Sequence, residues 1–99
     1  MSLYVVTAAR FDMHGELESV LWASASGVAN SFNEAPYQVP IDRIVEAFDR
    51  GDVVEMRFAS AAGNVSGGRL LRKVLPGGYE NAREERGEPG RTLKDLPSF

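Results

Sequence analysis

The sequence predicts a single α+β domain, in which a small antiparallel sheet of β-β-α-β-β order carries one helix on a face and is followed by a C-terminal tail. Three observations support this fold class. Four stretches have strand-like composition or alternation, one stretch between the second and third has the apolar spacing of a helix, and 99 residues suffice for one core. A small, half-open barrel is the alternative arrangement of the same elements.

The first two strands are predicted to form a hairpin. Leu3 to Phe11 is rich in Val, Tyr, Thr and Phe, and Leu17 to Ala25 is the returning strand. Between them, Asp12 can accept hydrogen bonds from backbone N–H groups that follow it, and Gly15 can take a positive φ at the end of the turn. The next segment, Ser26 to Val39, has loop composition and is predicted as a long loop.

The helix is predicted from Pro40 to Arg50. Proline suits the first turn because its missing N–H has no partner inside the helix there. Gly51 is placed to end the helix with a positive φ. A single apolar stripe is formed by residues at i, i+3, i+4 and i+7, which are Ile41, Ile44, Val45 and Phe48.

The second hairpin is predicted from two further strands. Val53 to Ser60 alternates between apolar and charged residues along its middle. Arg69 to Leu75 is the fourth strand, and its register stays open because Leu70 and Leu71 put an apolar residue on each face. Gly67 and Gly68 directly before it indicate a bulge or a bend.

The chain after this strand divides into a linker and an anchor. We expect residues 1–75 to be the α+β domain, 76–92 a mobile polar linker, and 93–99 an apolar tail anchor. A merely disordered tail would not usually close on two leucines and a phenylalanine. Leu93, Leu96 and Phe99 are therefore predicted to dock, either on this domain or on a partner.

Three stretches together resemble a family of small bacterial proteins of unknown function. Its members share an Asp-x-x-Gly hairpin turn, a short helix ending in a Gly-Asp-like pair, and a Leu-x-x-Leu-Pro-x-Phe tail. The matching stretches here are Val6 to Leu17, Ile44 to Val53 and Leu93 to Phe99. The resemblance implies that the tail belongs to the fold, and it implies no activity. The chain departs from the family in its long 26–39 loop and in having Gly90-Arg91-Thr92 where members have an Asn-rich stretch.

Composition excludes several classes of protein. The formal net charge of −3 disfavours a dedicated DNA-binding protein, which needs many Lys and Arg contacts to phosphates. Without cysteine there is no disulfide, thiolate nucleophile or zinc–thiolate site. The N-terminus has no signal-peptide pattern, and no run approaches the roughly 18–20 apolar residues of a membrane span. We therefore expect a cytoplasmic protein without a cofactor.

Residues capable of catalysis are few and scattered. His14, the single histidine, falls in the predicted exposed turn without partner groups, so a turn role is favoured over a general base or metal ligand. The acidic pairs Glu16 with Glu18 and Asp49 with Asp52 are expected to be solvated. The Gly-rich stretch from Gly63 to Gly68 lacks the Gly-Lys-Ser/Thr ending of a phosphate-binding loop and precedes a strand. We predict no catalytic, cofactor or metal site.

A candidate nucleic-acid face combines basic and aromatic residues. Tyr4, Trp22, Arg57, Arg72 and Lys73 would share one face of the open sheet if the register allowed, as in domains that stack single-stranded bases. Against this, the net charge is negative and no aromatic-rich RNA-binding motif is present. An ordinary solvated sheet face, with Trp22 in the core, is the favoured interpretation.

Two classes of function follow from these observations. The first is a non-catalytic protein-binding or adapter module, which uses Leu93, Leu96 and Phe99 on a protein partner or forms a homodimer through the sheet. The second is a small RNA- or single-strand-binding domain that uses the basic and aromatic face. An enzyme is the least favoured, because no catalytic constellation is recognisable.

Overall fold

A computed structural model describes residues 2–26, 31–60 and 63–99 of the chain. In these residues there are seven strands, one α-helix (α1, Ile41–Asp49) and one 3-10 helix (Leu93–Asp95). The strands are β1 (Leu3–Phe11), β2 (Leu17–Ser26), β3 (Ser31–Phe32), β4 (Tyr37–Pro40), β5 (Val53–Ser60), β6 (Gly63–Val74) and β7 (Glu80–Glu84). No helix in the described ranges has the length and apolar character needed to cross a membrane.

The strands form one mixed sheet in the order β3-β2-β1-β5-β6-β7, with β4 also paired to β2. Strands β1 and β5 are parallel, and every other pair is antiparallel. The predicted α+β class with one helix is confirmed. The purely antiparallel sheet and the β-β-α-β-β order are wrong.

The parallel pairing follows from strand β4, which the sequence did not reveal. β4 runs antiparallel to β2 and therefore in the same direction as β1. Helix α1 follows β4 at once and crosses the sheet, so that β5 enters beside β1 in the direction of β4. A helical crossover is the usual way to connect parallel strands. Because the prediction lacks β4, it describes two separate hairpins where the structure has a β-α-β unit.

Two predicted irregular segments contain strands. In the predicted loop from Ser26 to Val39, of which residues 27–30 lie outside the described ranges, Val39 on β4 is buried opposite Val20. The segment 76–92, predicted as a polar linker, contains β7, which pairs with Leu70–Val74 of β6. Both strands are short, and β7 is mostly polar, so neither has a strong alternation of apolar and polar residues.

The helix is one residue shorter at each end than predicted, because Pro40 has extended backbone and is the N-cap, and Arg50 is the C-cap. Gly51 follows the C-cap with a φ of 78°, as the sequence predicts. The Gly51 N–H donates to the Phe48 carbonyl at 3.0 Å, and the Asp52 N–H donates to the Ala47 carbonyl at 2.9 Å. This pair of bonds is the Schellman motif, which satisfies carbonyls at the end of the helix.

The core lies around α1 and includes residues far apart in the sequence. The helix packs against β2, β4, β5, β6 and β7, so the sheet curves around it. On β7, the Asn81 side-chain amide donates to the Leu17 carbonyl of β2 at 3.0 Å, which links strands that are not neighbours in the sheet. The largest fully buried side chains are Trp22, Ile44, Met56, Leu70, Val5, Val6, Val20 and Val54.

The bulge predicted at Gly67 and Gly68 is present, but it lies inside β6 and not before it, because this strand begins at Gly63 and not at the predicted Arg69. Met56 pairs with Gly68 and Arg57 pairs with Ser66, which leaves Gly67 as the extra residue. A Cβ atom on Gly67 would lie 2.2 Å from the Phe58 ring, so the strand approaches this side chain more closely than any other residue would permit.

Replacing Gly51 tests the helix end. A Cβ atom there would meet nothing within 4 Å, so the cost of Gly51→Ala arises from the positive φ alone. We expect the free energy of unfolding, measured by urea denaturation, to fall by about 1 kcal/mol. Gly51→Asn should lose less, because Asn tolerates this conformation better. An alanine variant as stable as the parent would contradict the assignment.

Candidate interaction surfaces

The predicted tail anchor packs against its own domain. Leu93 and Leu96 are only 4% and 6% exposed and belong to the core cluster. The 3-10 helix that carries Leu93 is held by Asp95, whose carboxylate accepts hydrogen bonds from the Thr92 N–H (2.9 Å) and hydroxyl (2.8 Å). The Leu93 N–H also donates to the Glu84 carboxylate of β7 at 2.6 Å. The start of the tail is therefore tied to the last strand of the sheet.

The end of the tail forms a hydrogen bond with the half of β1 that does not pair with β5. Pairing with β5 stops at Val6, and beyond it the Ala9 N–H donates to the Pro97 carbonyl at 2.9 Å. The Arg10 Nε donates to the Phe99 backbone oxygen at 2.9 Å, and the Arg10 guanidinium lies 4.6 Å from the centre of the Phe99 ring. In this chain, Leu93 and Leu96 are thus unavailable to a partner while the tail stays docked.

The candidate nucleic-acid residues are distributed over different parts of the fold. Trp22 is 1% exposed and stacks against Tyr4 with 4.2 Å between ring centroids. Arg57 is 7% exposed and donates to the Glu55 carboxylate at 2.7 Å. A face that stacks bases needs exposed rings beside exposed cations, and the burial of these residues provides neither.

The two remaining cations of that set also point apart. Consecutive strand residues face opposite sides of a sheet, so Arg72 and Lys73 do not share a face. Arg72 forms ion pairs with Asp49 and, at 3.4 Å, with Glu80. Lys73 pairs with Glu16 at 2.9 Å. The structure therefore does not bring together the five residues of the predicted face.

An open groove of about 810 Å³ lies at one end of the molecule. Three elements surround it: the β1–β2 turn, the first turns of α1, and the β6–β7 turn. Its lining residues are Asp12, His14, Glu16, Ile41, Asp42, Val45, Leu75, Pro76, Gly78, Tyr79, Glu80 and Asn81. None of the predicted interaction residues is among them.

The β1–β2 turn on the rim of the groove is fixed by Asp12. Its carboxylate oxygen Oδ1 accepts hydrogen bonds from the His14 N–H at 2.8 Å and the Glu16 N–H at 3.0 Å. Gly15 closes the turn with a φ of 79°. This is the predicted turn geometry, and His14 is exposed in it, as expected. A turn held in this way presents its side chains with little conformational freedom.

The β6–β7 turn on the opposite rim is equally constrained. The Leu75 N–H donates to the Tyr79 carbonyl at 2.7 Å, and the Gly78 N–H donates to the Leu75 carbonyl at 3.1 Å. Gly77 and Gly78 both have a positive φ. A Cβ atom on Gly77 would lie 3.3 Å from the Tyr79 ring, so this ring rests close to the glycine backbone.

Exposed apolar side chains concentrate around this groove. In the described ranges, the exposed large hydrophobic residues are Met13 (91%), Tyr79 (74%), Val74 (66%) and Tyr37 (41%). Tyr79 lines the groove, Met13 lies between its lining residues Asp12 and His14, and Val74 directly precedes Leu75. Clustered exposed apolar side chains are typical of interaction sites.

The groove is acidic as well as apolar. Asp12, Glu16, Asp42 and Glu80 line it, and no Lys or Arg is among the described lining residues. These acids are spread around the groove, and within the described ranges no group of three or more His, Cys, Asp or Glu residues could hold a metal ion. The surface therefore combines apolar contact area with negative charge.

Comparisons with protein-family models, curated proteins and solved structures gave no match for this chain. The resemblance to a family of small bacterial proteins thus stays an expectation from the sequence.

Sequence reasoning missed the groove because its parts are distant in the chain. One local signal was present: Val74, Leu75 and Tyr79 flank the Pro76-Gly77-Gly78 turn. Apolar residues at an exposed turn are unusual enough to suggest contact with another molecule.

Replacing Leu96 tests the docking of the tail. Leu96→Ala removes a core side chain and should lower the free energy of unfolding by about 2–5 kcal/mol, as measured by urea denaturation. Phe99→Ala is the control within the tail, because this ring is only partly buried, and it should cost less. If the two variants were equally stable, or Leu96→Ala unchanged, the tail would not dock as described.

The Asp95 carboxylate makes part of the tail's stability depend on pH. Hydrogen bonds from the Thr92 N–H and then from the Thr92 hydroxyl lower the pKa of Asp95 below its usual value. A lowered pKa in the folded state means that the stabilisation is present above the unfolded pKa, about 4, and is lost as pH falls through the folded pKa. Asp95→Asn should therefore be less stable than the parent at pH 7.

The measurement is the difference in unfolding free energy between parent and Asp95→Asn from pH 7 to pH 2.5. We expect this difference to shrink below about pH 4, where the parent also becomes protonated. Glu85→Gln is the control, since Glu85 is exposed and its side chain forms no hydrogen bond within the described residues. A difference that stays constant with pH would refute the role of the Asp95 charge.

Proposed function

We propose that this domain is a non-catalytic protein-binding module whose recognition surface is the groove between the two turns and the start of α1. One observation carries the proposal: three of the four large hydrophobic side chains exposed in the described ranges lie in or beside this groove. Binding of a partner would remove these side chains from water, which is the main favourable contribution to protein association.

The construction of the groove supports the same proposal. Both turns are closed by backbone hydrogen bonds and by glycines in positive-φ conformations, and α1 is anchored in the core through Ile44 and Ala47. A surface built from such constrained elements loses little conformational entropy on binding. The side chains of Tyr79 and Met13 are therefore presented on a preformed scaffold.

The adapter role shifts from the tail to the groove. Leu93 and Leu96, the residues expected to contact a partner, are engaged in the core of their own domain. The tail then contributes to the module by stabilising it. A composition without cysteine, which suits a reducing compartment, favours the cytoplasm as its place of action.

Partner capture with matched variants tests this function. The full-length tagged protein is incubated with lysate of its source organism, with and without nuclease, and bound proteins are quantified by mass spectrometry. We expect partner proteins that resist nuclease and are lost with Tyr79→Ser. Tyr37→Ser is the control, because Tyr37 is an exposed tyrosine outside the groove. Folding of each variant is verified by circular dichroism.

Each other outcome has a definite meaning. Partners captured equally by parent and Tyr79→Ser would reject the groove as the recognition surface. Capture that disappears with nuclease would favour the alternative, a single-strand-binding domain. A shift of the parent alone to a dimer in analytical ultracentrifugation, abolished by Tyr79→Ser, would identify a second copy of the chain as the partner.

A further inference from the structure

We propose that the groove binds a basic peptide segment, one that carries Lys or Arg beside at least one apolar residue. The inference rests on the proposed protein-binding function and specifies the chemistry of the partner. It follows from the balance of charge in the groove, from the position of Tyr79, and from the form of the apolar surface.

Some acids in and around the groove have a cation beside them, and others do not. Lys73 neutralises Glu16 through the 2.9 Å ion pair. Arg72 is shared by Asp49 and Glu80, so this group of three retains one negative charge.

Two further acids keep their charge. Among the described residues, Asp12 accepts hydrogen bonds from backbone N–H groups and has no ion pair, so its formal charge stays in place. The Asp42 side chain is exposed and has no ion pair or hydrogen bond within the described residues. The groove and its immediate surroundings thus carry about three uncompensated negative charges, and a cationic ligand gains most from such a surface.

An exposed aromatic ring lines the groove together with these acids. Tyr79 is 74% exposed and precedes Glu80 on the rim of the groove. A Lys ammonium or Arg guanidinium placed over this ring would gain a cation–π contact, and it would remain within reach of the neighbouring carboxylates. A cation is therefore favoured both by the charge of the carboxylates and by contact with the Tyr79 ring.

The apolar lining of the groove favours a peptide over a small free amine. Ile41, Val45, Leu75 and Pro76 provide apolar lining that a polyamine would leave unused. Met13 and Val74 are further exposed apolar side chains next to lining residues in the chain, and the volume of about 810 Å³ accommodates several side chains. An extended or helical segment with alternating basic and apolar residues matches both the negative charge and the apolar lining of the groove.

The test uses a displayed library of random twelve-residue peptides, selected on the full-length protein at low ionic strength. Enriched peptides are sequenced, synthesised, and titrated into the parent and its variants by isothermal titration calorimetry. We expect Lys and Arg to be enriched over the unselected library and binding to be lost with Tyr79→Ser. Asp42→Lys should weaken binding about fivefold or more, and raised salt should weaken it in the parent.

Matched variants keep the test independent of folding. Glu85→Lys makes the same change in charge at an exposed acid outside the groove and should leave the affinity unchanged. Asp42→Asn is the milder variant at the site and should show a smaller loss in the same direction. Met13→Ser provides a second apolar change on the rim.

Three results would overturn the inference, and they are distinguishable. Peptides that require Tyr79 but contain Lys and Arg at the frequency of the unselected library would reject the basic ligand and leave the protein-binding function standing. The same holds if Asp42→Lys binds as tightly as the parent. A selection in which no peptide depends on Tyr79 or Met13 would reject both the basic ligand and the groove as a recognition surface.

Discussion

Strand β1 pairs with β5 along only its first half. The rest of the fold depends on how the backbone groups in its second half find hydrogen-bond partners. Beyond Val6 the two strands separate, which would leave backbone groups of β1 without partners. Buried backbone groups must form hydrogen bonds, and the Pro97 carbonyl provides one at Ala9. The tail is therefore a structural part of the sheet, at the place where β5 no longer pairs with β1. Its two leucines add buried apolar area to the core, which is small in a chain of 99 residues.

The position of the groove depends on the strands that follow the helix. Because β6 and β7 curve around α1, Asn81 reaches the Leu17 carbonyl and Lys73 reaches Glu16. These two contacts bring the β6–β7 turn to the side of the β1–β2 turn, although the whole chain from β2 to β6 separates them. The space left between the turns and the start of the helix is the groove. Its position is thus a consequence of the sheet's curvature and of the polar contacts that fix it.

The features that local sequence could predict are those with a local cause. The Asp12 turn and the Gly51 helix end depend on side chains and backbone conformations within a few residues, and both are present as expected. The apolar stripe through Ile44 likewise depends on helical spacing. Strand β7 has no such local signal, because its residues are largely polar and only Asn81 and Ala82 are buried, through contacts made by the folded chain. The parallel pairing of β1 and β5, and with it the groove, depended on recognising β4, whose four residues include a proline.

The distribution of charge connects the stability of the fold with its surface. Several cations are used in internal contacts: Arg57 bonds to Glu55 in a nearly buried position, Arg10 holds the end of the tail, and Lys73 fixes the curved sheet. Breaking the nearly buried Arg57–Glu55 pair would leave an uncompensated charge, so this cation is committed to the fold. The formal charge of −3 must then appear where acids have no cation beside them. Asp12 and Asp42 are two such acids, and they line the same groove as the exposed Tyr79. The groove thus combines part of the negative charge that the fold does not compensate with part of the apolar surface that it does not bury, and a segment that carries cations and apolar side chains matches both.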